Sequence, residues 1–98
     1  MYSNLQKAST PEVRALRLAG GLWLKELREK AGLSQRQLAA KLNIEYYTFI
    51  SQLENGRGRI PPDRYEAWAE ALNVDPKEFT RGIMRYYDPV TYRILFNN

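Results

Sequence analysis

The sequence predicts an all-α domain, and three observations support this fold class. Apolar residues recur at spacings of three and four along most of the chain, which is the period of a helix buried on one side. Val, Ile and Thr are scattered instead of alternating with polar residues, so no segment has the pattern of a strand. Ser, Thr and Asp stand at several points where a helix would begin. The 98 residues are enough for one domain with one small core.

The first predicted element is a long helix over residues 11–31, preceded by a flexible arm, residues 1–10. Thr10 is suited to cap its N-terminus, and Gly32 to the left-handed backbone that ends a helix. Its apolar stripe consists of Val13, Leu16, Gly20, Trp23, Leu24, Leu27 and Ala31. The pair Gly20-Gly21 argues for a break, at about 1 kcal/mol for each Gly relative to Ala. Because the apolar stripe fits one long helix, we favour a continuous, kinked helix but leave a break at this pair open.

Residues 34–55 are the most informative stretch, because they have the pattern of two short helices joined by a tight turn. Ser34-x-x-Gln37 is a capping box that starts the second helix. Asn43 and Ile44 make the turn, and the third helix is predicted from about Glu45 to Asn55. The residues predicted to face inward are Leu38, Ala39, Leu42, Phe49, Ile50 and Leu53. This layout, with polar groups at the start of the second of the two helices, is typical of a helix-turn-helix that reads duplex DNA.

Three further helix starts follow, each marked by Pro. A fourth helix opens at Pro61-Pro62, a fifth at Asp75-Pro76 and a short sixth at Asp88-Pro89. The fourth helix is predicted to bury Tyr65, Trp68, Ala69 and Leu72. Residues 61–79 would complete the core, and residues 80–98 form an aromatic C-terminal extension.

The composition excludes several classes of protein. The chain has no Cys and no His, which removes disulfides, thiolate metal sites and the usual general base. Asp63, Glu66 and Glu70 are the best remaining acid–base candidates, but they lie on the polar side of a helix and are expected to be solvated. We expect no enzyme activity, no metal, no cofactor and, without a second domain, no small-molecule effector. No apolar run approaches the roughly 20 residues of a membrane span, and the first residues lack a signal-peptide pattern, so we expect a cytoplasmic protein.

The charge of the chain is distributed unevenly. Residues 61–78 hold two basic and five acidic side chains, a net charge of −3. Since the whole chain has a net charge of +4, the remaining residues carry +7. Such a separation is either chance clustering or the mark of a face directed towards phosphate.

The chain resembles the XRE family, the Cro or lambda-repressor-like helix-turn-helix regulators, over about Trp23 to Phe79. The segments that carry the resemblance are Leu27-Arg28-Glu29-Lys30-Ala31-Gly32-Leu33-Ser34-Gln35, Leu38-Ala39, Ile50-Ser51-Gln52-Leu53-Glu54-Asn55-Gly56 and Ala69-Glu70-Ala71-Leu72-Asn73-Val74. The resemblance implies a compact five-helix bundle that binds operator DNA, usually as a dimer. Here an N-terminal helical extension and a short C-terminal helix would be added to it. The connection between the second and third helices is one residue longer than is usual in the family. The third helix is therefore expected either to begin later or to sit at a slightly different angle, which changes the register of its first turn.

Base-reading residues are expected at the start of the third helix, since that end enters the major groove. Tyr46, Tyr47 and Thr48 are predicted in its first turn, followed by Ser51 and Gln52. Gln52 is the strongest candidate, because its amide matches adenine and such a bidentate contact is worth about 1–3 kcal/mol. Each tyrosine either meets DNA or packs against the turn.

Phosphate contacts are expected from Ser34 and Gln35 at the start of the second helix and from Arg57 and Arg59 after the third. Arg36 is a weaker candidate, because it is either a phosphate contact or a solvated surface charge. Ser34 and Gln35 stand at a helix N-terminus, which favours anions, and the resemblance places phosphate contacts at both. Lys41 and Arg64 are weaker candidates. The resemblance also implies a buried ion pair between Arg28 and Glu54, which would have a structural role.

The last part of the chain is rich in large apolar and aromatic residues. A dimer interface is predicted from Phe79, Ile83, Tyr86, Tyr87, Tyr92, Leu95 and Phe96, since large aromatics anchor interfaces. The alternative is that this segment folds back over the core. Two functions follow from these interpretations. One is a regulator, most simply a repressor, that binds an inverted repeat of double-stranded DNA as a homodimer; the other is an antitoxin-like or phage-type module whose aromatic tail binds a partner protein.

Overall fold

The computed structural model describes residues 10–96, and its secondary structure is entirely helical. The elements are α1 (Pro11–Lys30), α2 (Gln35–Lys41), α3 (Thr48–Glu54), a 3₁₀ turn (Pro62–Arg64), α4 (Tyr65–Ala71), α5 (Pro76–Tyr87) and α6 (Pro89–Phe96). The predicted all-α fold class is confirmed. The predicted flexible arm lies, except for its last residue, outside the described residues.

Helix α1 runs without interruption through Gly20-Gly21, where other helices cross it closely. A Cβ atom on Gly21 would collide with the carbonyl oxygen of Glu54, and one on Gly20 would lie 2.9 Å from the Cβ of Tyr86. The two glycines therefore let α1 pack directly on the end of α3 and on the end of α5. Thr10 caps the helix, its Oγ1 accepting a hydrogen bond of 3.2 Å from the Val13 N–H.

The core lies between α1, α3, α4 and α5, with α2 closing one side. Its apolar members are Leu24, Leu38, Ala39, Leu42, Ile50, Leu53, Ile60, Trp68, Ala69, Leu72, Phe79 and Ile83. Phe79 and Ile83 are each only 1 % exposed. The prediction that these two residues belong to a dimer interface is therefore wrong: they face into the bundle, where the Trp23 ring stacks on Phe79 at a centroid distance of 5.5 Å.

The connection between α2 and α3 differs from the sequence-based prediction. The third helix begins at Thr48 instead of Glu45, which is the later start that the longer connection left open. Tyr46 and Tyr47 therefore precede the helix and do not form its first turn. Asn43 adopts a left-handed φ of 57°, and the Ile44 N–H then donates to the Ala39 carbonyl oxygen at 2.9 Å. Ile44 packs against the core. Residues 45–47 therefore form the connection from Ile44 to α3 and do not lengthen the helix.

Helix α6 packs on α5 through polar and aromatic contacts at its edge. Arg85 Nη2 donates to the Tyr92 hydroxyl at 3.1 Å, and the Arg81 guanidinium lies 4.9 Å from the centre of the Phe96 ring. No α6 residue is buried. Val90, Ile94 and Leu95 are exposed at 59 %, 70 % and 59 %, which leaves an apolar side of α6 open to solvent.

Candidate nucleic-acid interface

Helix α3 presents a row of polar residues to solvent. Thr48, Gln52 and Asn55 are exposed and Ser51 is half-buried. Residues spaced by three, four and seven lie on one side of a helix, so these four residues form one surface, which we call the polar stripe. Sequence reasoning did not single out Asn55, although its spacing of seven from Thr48 was a readable signal.

The opposite side of α3 is buried and fixed to the bundle by a polar network. Arg28 donates to Glu54 twice, from Nε to Oε2 at 2.6 Å and from Nη2 to Oε1 at 3.0 Å. Arg28 Nη1 also donates to the Leu33 carbonyl oxygen at 2.8 Å, and Gln35 Nε2 donates to Glu54 Oε1 at 3.0 Å. The hydrogen bond to Glu54 is the main reason that the pKa of Arg28 is raised, so the guanidinium stays charged. The ion pair implied by the resemblance is thus present and joins α1 to α3, and the hydrogen bond from Gln35 adds α2 to the network.

This network changes the expectation for Gln35. Its side-chain amide, predicted to contact phosphate, is directed instead at the carboxylate of Glu54. Ser34 is also used locally: its Oγ accepts from the Gln37 N–H at 3.0 Å, and its own N–H donates to Gln37 Oε1 at 2.8 Å. Both side chains therefore have structural partners, and a phosphate contact from either depends on the backbone N–H groups at the start of α2.

The two tyrosines before α3 have different surroundings. Tyr47 is half-buried and packs against the core, and the guanidinium of Arg36 lies 4.2 Å from the centre of its ring. Tyr46 is 68 % exposed. The sequence left open whether each tyrosine packs against the turn or meets DNA. Tyr47 packs against the core, whereas Tyr46 is exposed and available to a ligand.

A basic loop, residues 56–60, follows α3 and packs against Tyr87. Gly56 and Gly58 take left-handed φ values of 81° and 75°, which makes the sharp turn that exposes Arg57. The Tyr87 hydroxyl accepts a hydrogen bond from the Ile60 N–H at 3.2 Å, and its ring lies 4.8 Å below the Arg59 guanidinium. Arg59 Nη2 also pairs with Asp88 Oδ2 at 3.5 Å.

These contacts correct the role predicted for Tyr87. Its ring and hydroxyl are engaged within the chain, so it supports the basic loop and is not a free anchor for a dimer. Burial raises the pKa of the Tyr87 hydroxyl, while the Ile60 N–H and the nearby arginines lower it. The hydroxyl is therefore protonated near neutral pH.

A helix-turn-helix family model matches residues 24–79, more than half of the 98-residue chain. The chain belongs to the XRE family of helix-turn-helix regulators. At the level of the family it is a DNA-binding transcriptional regulator. The chain matches no curated protein sequence.

The match places the whole helix-turn-helix of this XRE-family chain inside the common domain. The matched region begins within α1 and ends within α5, so the first half of α1 and all of α6 lie outside it.

The weaker phosphate candidates Lys41 and Arg64, both within the matched region, have different surroundings. Arg64 Nη2 donates to the Leu42 carbonyl oxygen at 2.9 Å and so ties the 3₁₀ turn to the end of α2, whereas Lys41 is exposed.

The predicted interface residues of the XRE-family chain are only partly available. Tyr86 is half-buried, with its ring 5.7 Å from that of Trp23. Tyr92 and Phe96 contact each other at 5.2 Å on α6, where Phe96 and Leu95 are exposed at 39 % and 59 %. The exposed part of the predicted interface is therefore α6.

Two features are absent from the part of the chain that the structure describes. Residues 10–96 contain no group of three or more His, Cys, Asp or Glu side chains that could hold a metal ion. Over the same residues, no helix has both the length and the apolar character needed to cross a membrane.

Proposed function

We propose that the chain is a sequence-specific regulator that inserts α3 into the major groove of double-stranded DNA. The observation that carries this proposal is the exposed polar stripe of α3, whose opposite side is fixed by the buried Arg28–Glu54 pair. A rigid helix with hydroxyl and amide groups outward can present donors and acceptors to base edges at a fixed register. Gln52 is central in the stripe and reads adenine, with Thr48 and Ser51 beside it.

Affinity in this proposal comes from the cations on both sides of the stripe. Arg36 precedes α3 in the sequence, and Arg57 and Arg59 follow it. The exposed Tyr46, also before α3, adds an uncharged hydroxyl that can donate to phosphate. Contacts from such residues to phosphate fix the register of the protein on the duplex without reading sequence. Because each contact releases counterions, DNA binding should weaken steeply as salt is raised.

We also propose that two copies bind together and act as a repressor. The apolar side of α6, with Val90, Ile94 and Leu95 exposed, supports a homodimer, because a single chain leaves this surface in water. A two-fold dimer matches an inverted-repeat operator whose half-sites are about one DNA turn, roughly 34 Å, apart. A dimer bound to its operator regulates most simply by blocking access to a promoter. The protein would work in the cytoplasm with its DNA.

The alternative is an antitoxin-like module that uses the same side of α6 to bind a different protein. The two possibilities are separated by what accompanies the chain when it is purified from its own cells. A stoichiometric second protein on α6 supports the alternative, and a dimer of the chain alone supports the homodimer.

The test of sequence-specific binding is selection from a pool of random duplex DNA at a stated salt concentration. We expect enrichment of an inverted repeat with half-sites about 10 base pairs apart. A pool that is retained without enrichment of any sequence would contradict specific reading, and a pool that is not retained at all would contradict DNA binding.

A further inference from the structure

The first half of α1 lies outside the region matched by the family, yet it packs against the end of the helix-turn-helix. A Cβ atom on Gly56 would lie 3.0 Å from the backbone nitrogen of Leu18, so the two backbones are nearly in contact. Arg17 Nη1 also reaches the Gly58 carbonyl oxygen at 3.4 Å. This part of α1 is therefore continuous with the basic loop after α3.

An open groove runs along this junction. Its lining consists of Arg14, Arg17, Leu18, Asn55, Gly56 and Arg57. Three of these residues are arginines and none is acidic, so the groove has a positive potential. Its one amide side chain, Asn55, is exposed and adds a hydrogen-bond donor.

Two arginines at this end of the molecule contact the same aromatic ring. The guanidinium groups of Arg17 and Arg59 both lie on the Tyr87 ring, at 5.4 Å and 4.8 Å from its centre. Asp88 pairs with Arg59, whereas Arg17 contacts a carbonyl oxygen and a neutral ring. Neither of these contacts neutralises the Arg17 charge, so an anion in the groove that Arg17 and Arg57 both line would be attracted to them.

Asn55 connects the groove to the polar stripe, because it is a member of both. DNA that lies along Thr48 and Gln52 therefore continues past Asn55 and over the groove. We propose that this groove, through Arg14 and Arg17, binds the backbone phosphates of the duplex beside each half-site. This inference rests on the proposed DNA-binding function and extends the contact surface beyond the common domain of the family.

The test is the salt dependence of binding to a labelled duplex of random sequence. The Arg14→Gln/Arg17→Gln variant should reduce the magnitude of the slope of log K against log salt by about 1.8, since each lost phosphate contact removes about 0.9. Arg14→Gln alone, which keeps the contact of Arg17 with Tyr87, should remove about half of that. Arg14→Lys/Arg17→Lys keeps both charges and should retain the original slope.

The matched control is Lys30→Gln/Lys77→Gln, which removes the same charge from exposed positions outside the groove. Lys30 lies on the other side of α1, about 160° around the helix from Arg14 at 3.6 residues per turn. An unchanged slope in both glutamine variants of the groove, or an equal change in the control, would overturn the inference while leaving DNA binding intact. Failure of the unmodified chain to bind any duplex would instead reject the proposed function itself. Melting temperatures of all variants identify any loss of folding.

Discussion

Arg28 and Glu54 join the first and third helices through two parallel hydrogen bonds of 2.6 Å and 3.0 Å. Both residues are buried, at 8 % and 7 % exposure. Glu54 lies on the buried side of α3, and Gln52 lies two residues away on the exposed side. One side of this short helix attaches it to the bundle, and the other side is the one proposed to read bases. Mutations can therefore test the two roles separately.

Glu54→Ala should strongly destabilise the fold. It leaves the buried Arg28 cation without its carboxylate, and removing one partner of such a pair typically costs about 3–5 kcal/mol of unfolding free energy. Urea denaturation followed by circular dichroism measures this loss. Glu70→Ala, at an exposed position on α4, is the control and should change stability by less than about 0.5 kcal/mol. Losses of similar size in both variants would show that the ion pair does not fix the fold.

Gly21→Ala should also destabilise, against the normal preference for Ala in helices. In an open helix this change stabilises by about 1 kcal/mol. Here the new Cβ would meet the carbonyl oxygens of Glu54 and Leu53, so α1 and α3 must move apart, at about 1–3 kcal/mol. Thermal unfolding of Gly21→Ala beside Leu22→Ala, an exposed neighbour, measures the effect. A raised melting temperature for Gly21→Ala would contradict the close crossing of the helices.

The sequence predicted those features that depend on neighbours along the chain. Thr10, Ser34 and Asp75 act as helix caps, and each uses a side-chain oxygen to accept from an N–H three residues later. Caps of this kind are local, so the residues that make them are visible in sequence.

The features that sequence missed depend on contacts between distant segments. The longer connection left a later start of α3 open, but the residue at which the helix starts depends on the packing of Ile44 on the core, which no local pattern shows. Tyr87 looked like an interface residue because its partners, Arg17 and Ile60, are far from it in sequence. Phe79 and Ile83, in contrast, are four residues apart on one side of α5, and this spacing was a signal for the core that the aromatic composition obscured.

Raising the pH above 10 should weaken the fold through Tyr87. Burial raises the pKa of this hydroxyl above its ordinary value of 10.0. The folded state therefore keeps a proton that the unfolded state loses, so the stability from this group is complete below pH 10 and is lost as the pH rises through the folded pKa. Tyr65 has a pKa raised mainly by burial as well and should contribute in the same direction.

Tyr87→Phe isolates this contribution. The variant should be less stable than the unmodified chain at pH 8, by about 1 kcal/mol, because the Ile60 N–H loses its acceptor. Between pH 10 and pH 11 it should lose less stability than the unmodified chain, since one titrating group is gone. Melting curves at pH 8, 10 and 11 provide the comparison. Two parallel stability profiles would show that Tyr87 is not the titrating group.

Ile94→Glu should convert the proposed dimer into a monomer without unfolding it. Ile94 is 70 % exposed in the single chain, so a charge there costs little until a second chain covers it. Sedimentation velocity measures the change, and Ala40→Glu, which adds the same charge at an exposed site on α2, is the control. An unmodified chain that sediments as a monomer, or an Ile94→Glu variant that sediments as a dimer, would reject α6 as the interface.

The most direct measurement is the affinity of Gln52→Ala for the selected duplex and for a random duplex of the same length and salt. The change should weaken binding to the selected sequence by about 1–3 kcal/mol, or about 5- to 150-fold. Binding to the random duplex and the melting temperature should stay the same, because Gln52 is exposed and reads bases. Unchanged affinity for the selected sequence, or an equal loss on both duplexes, would contradict base reading by α3.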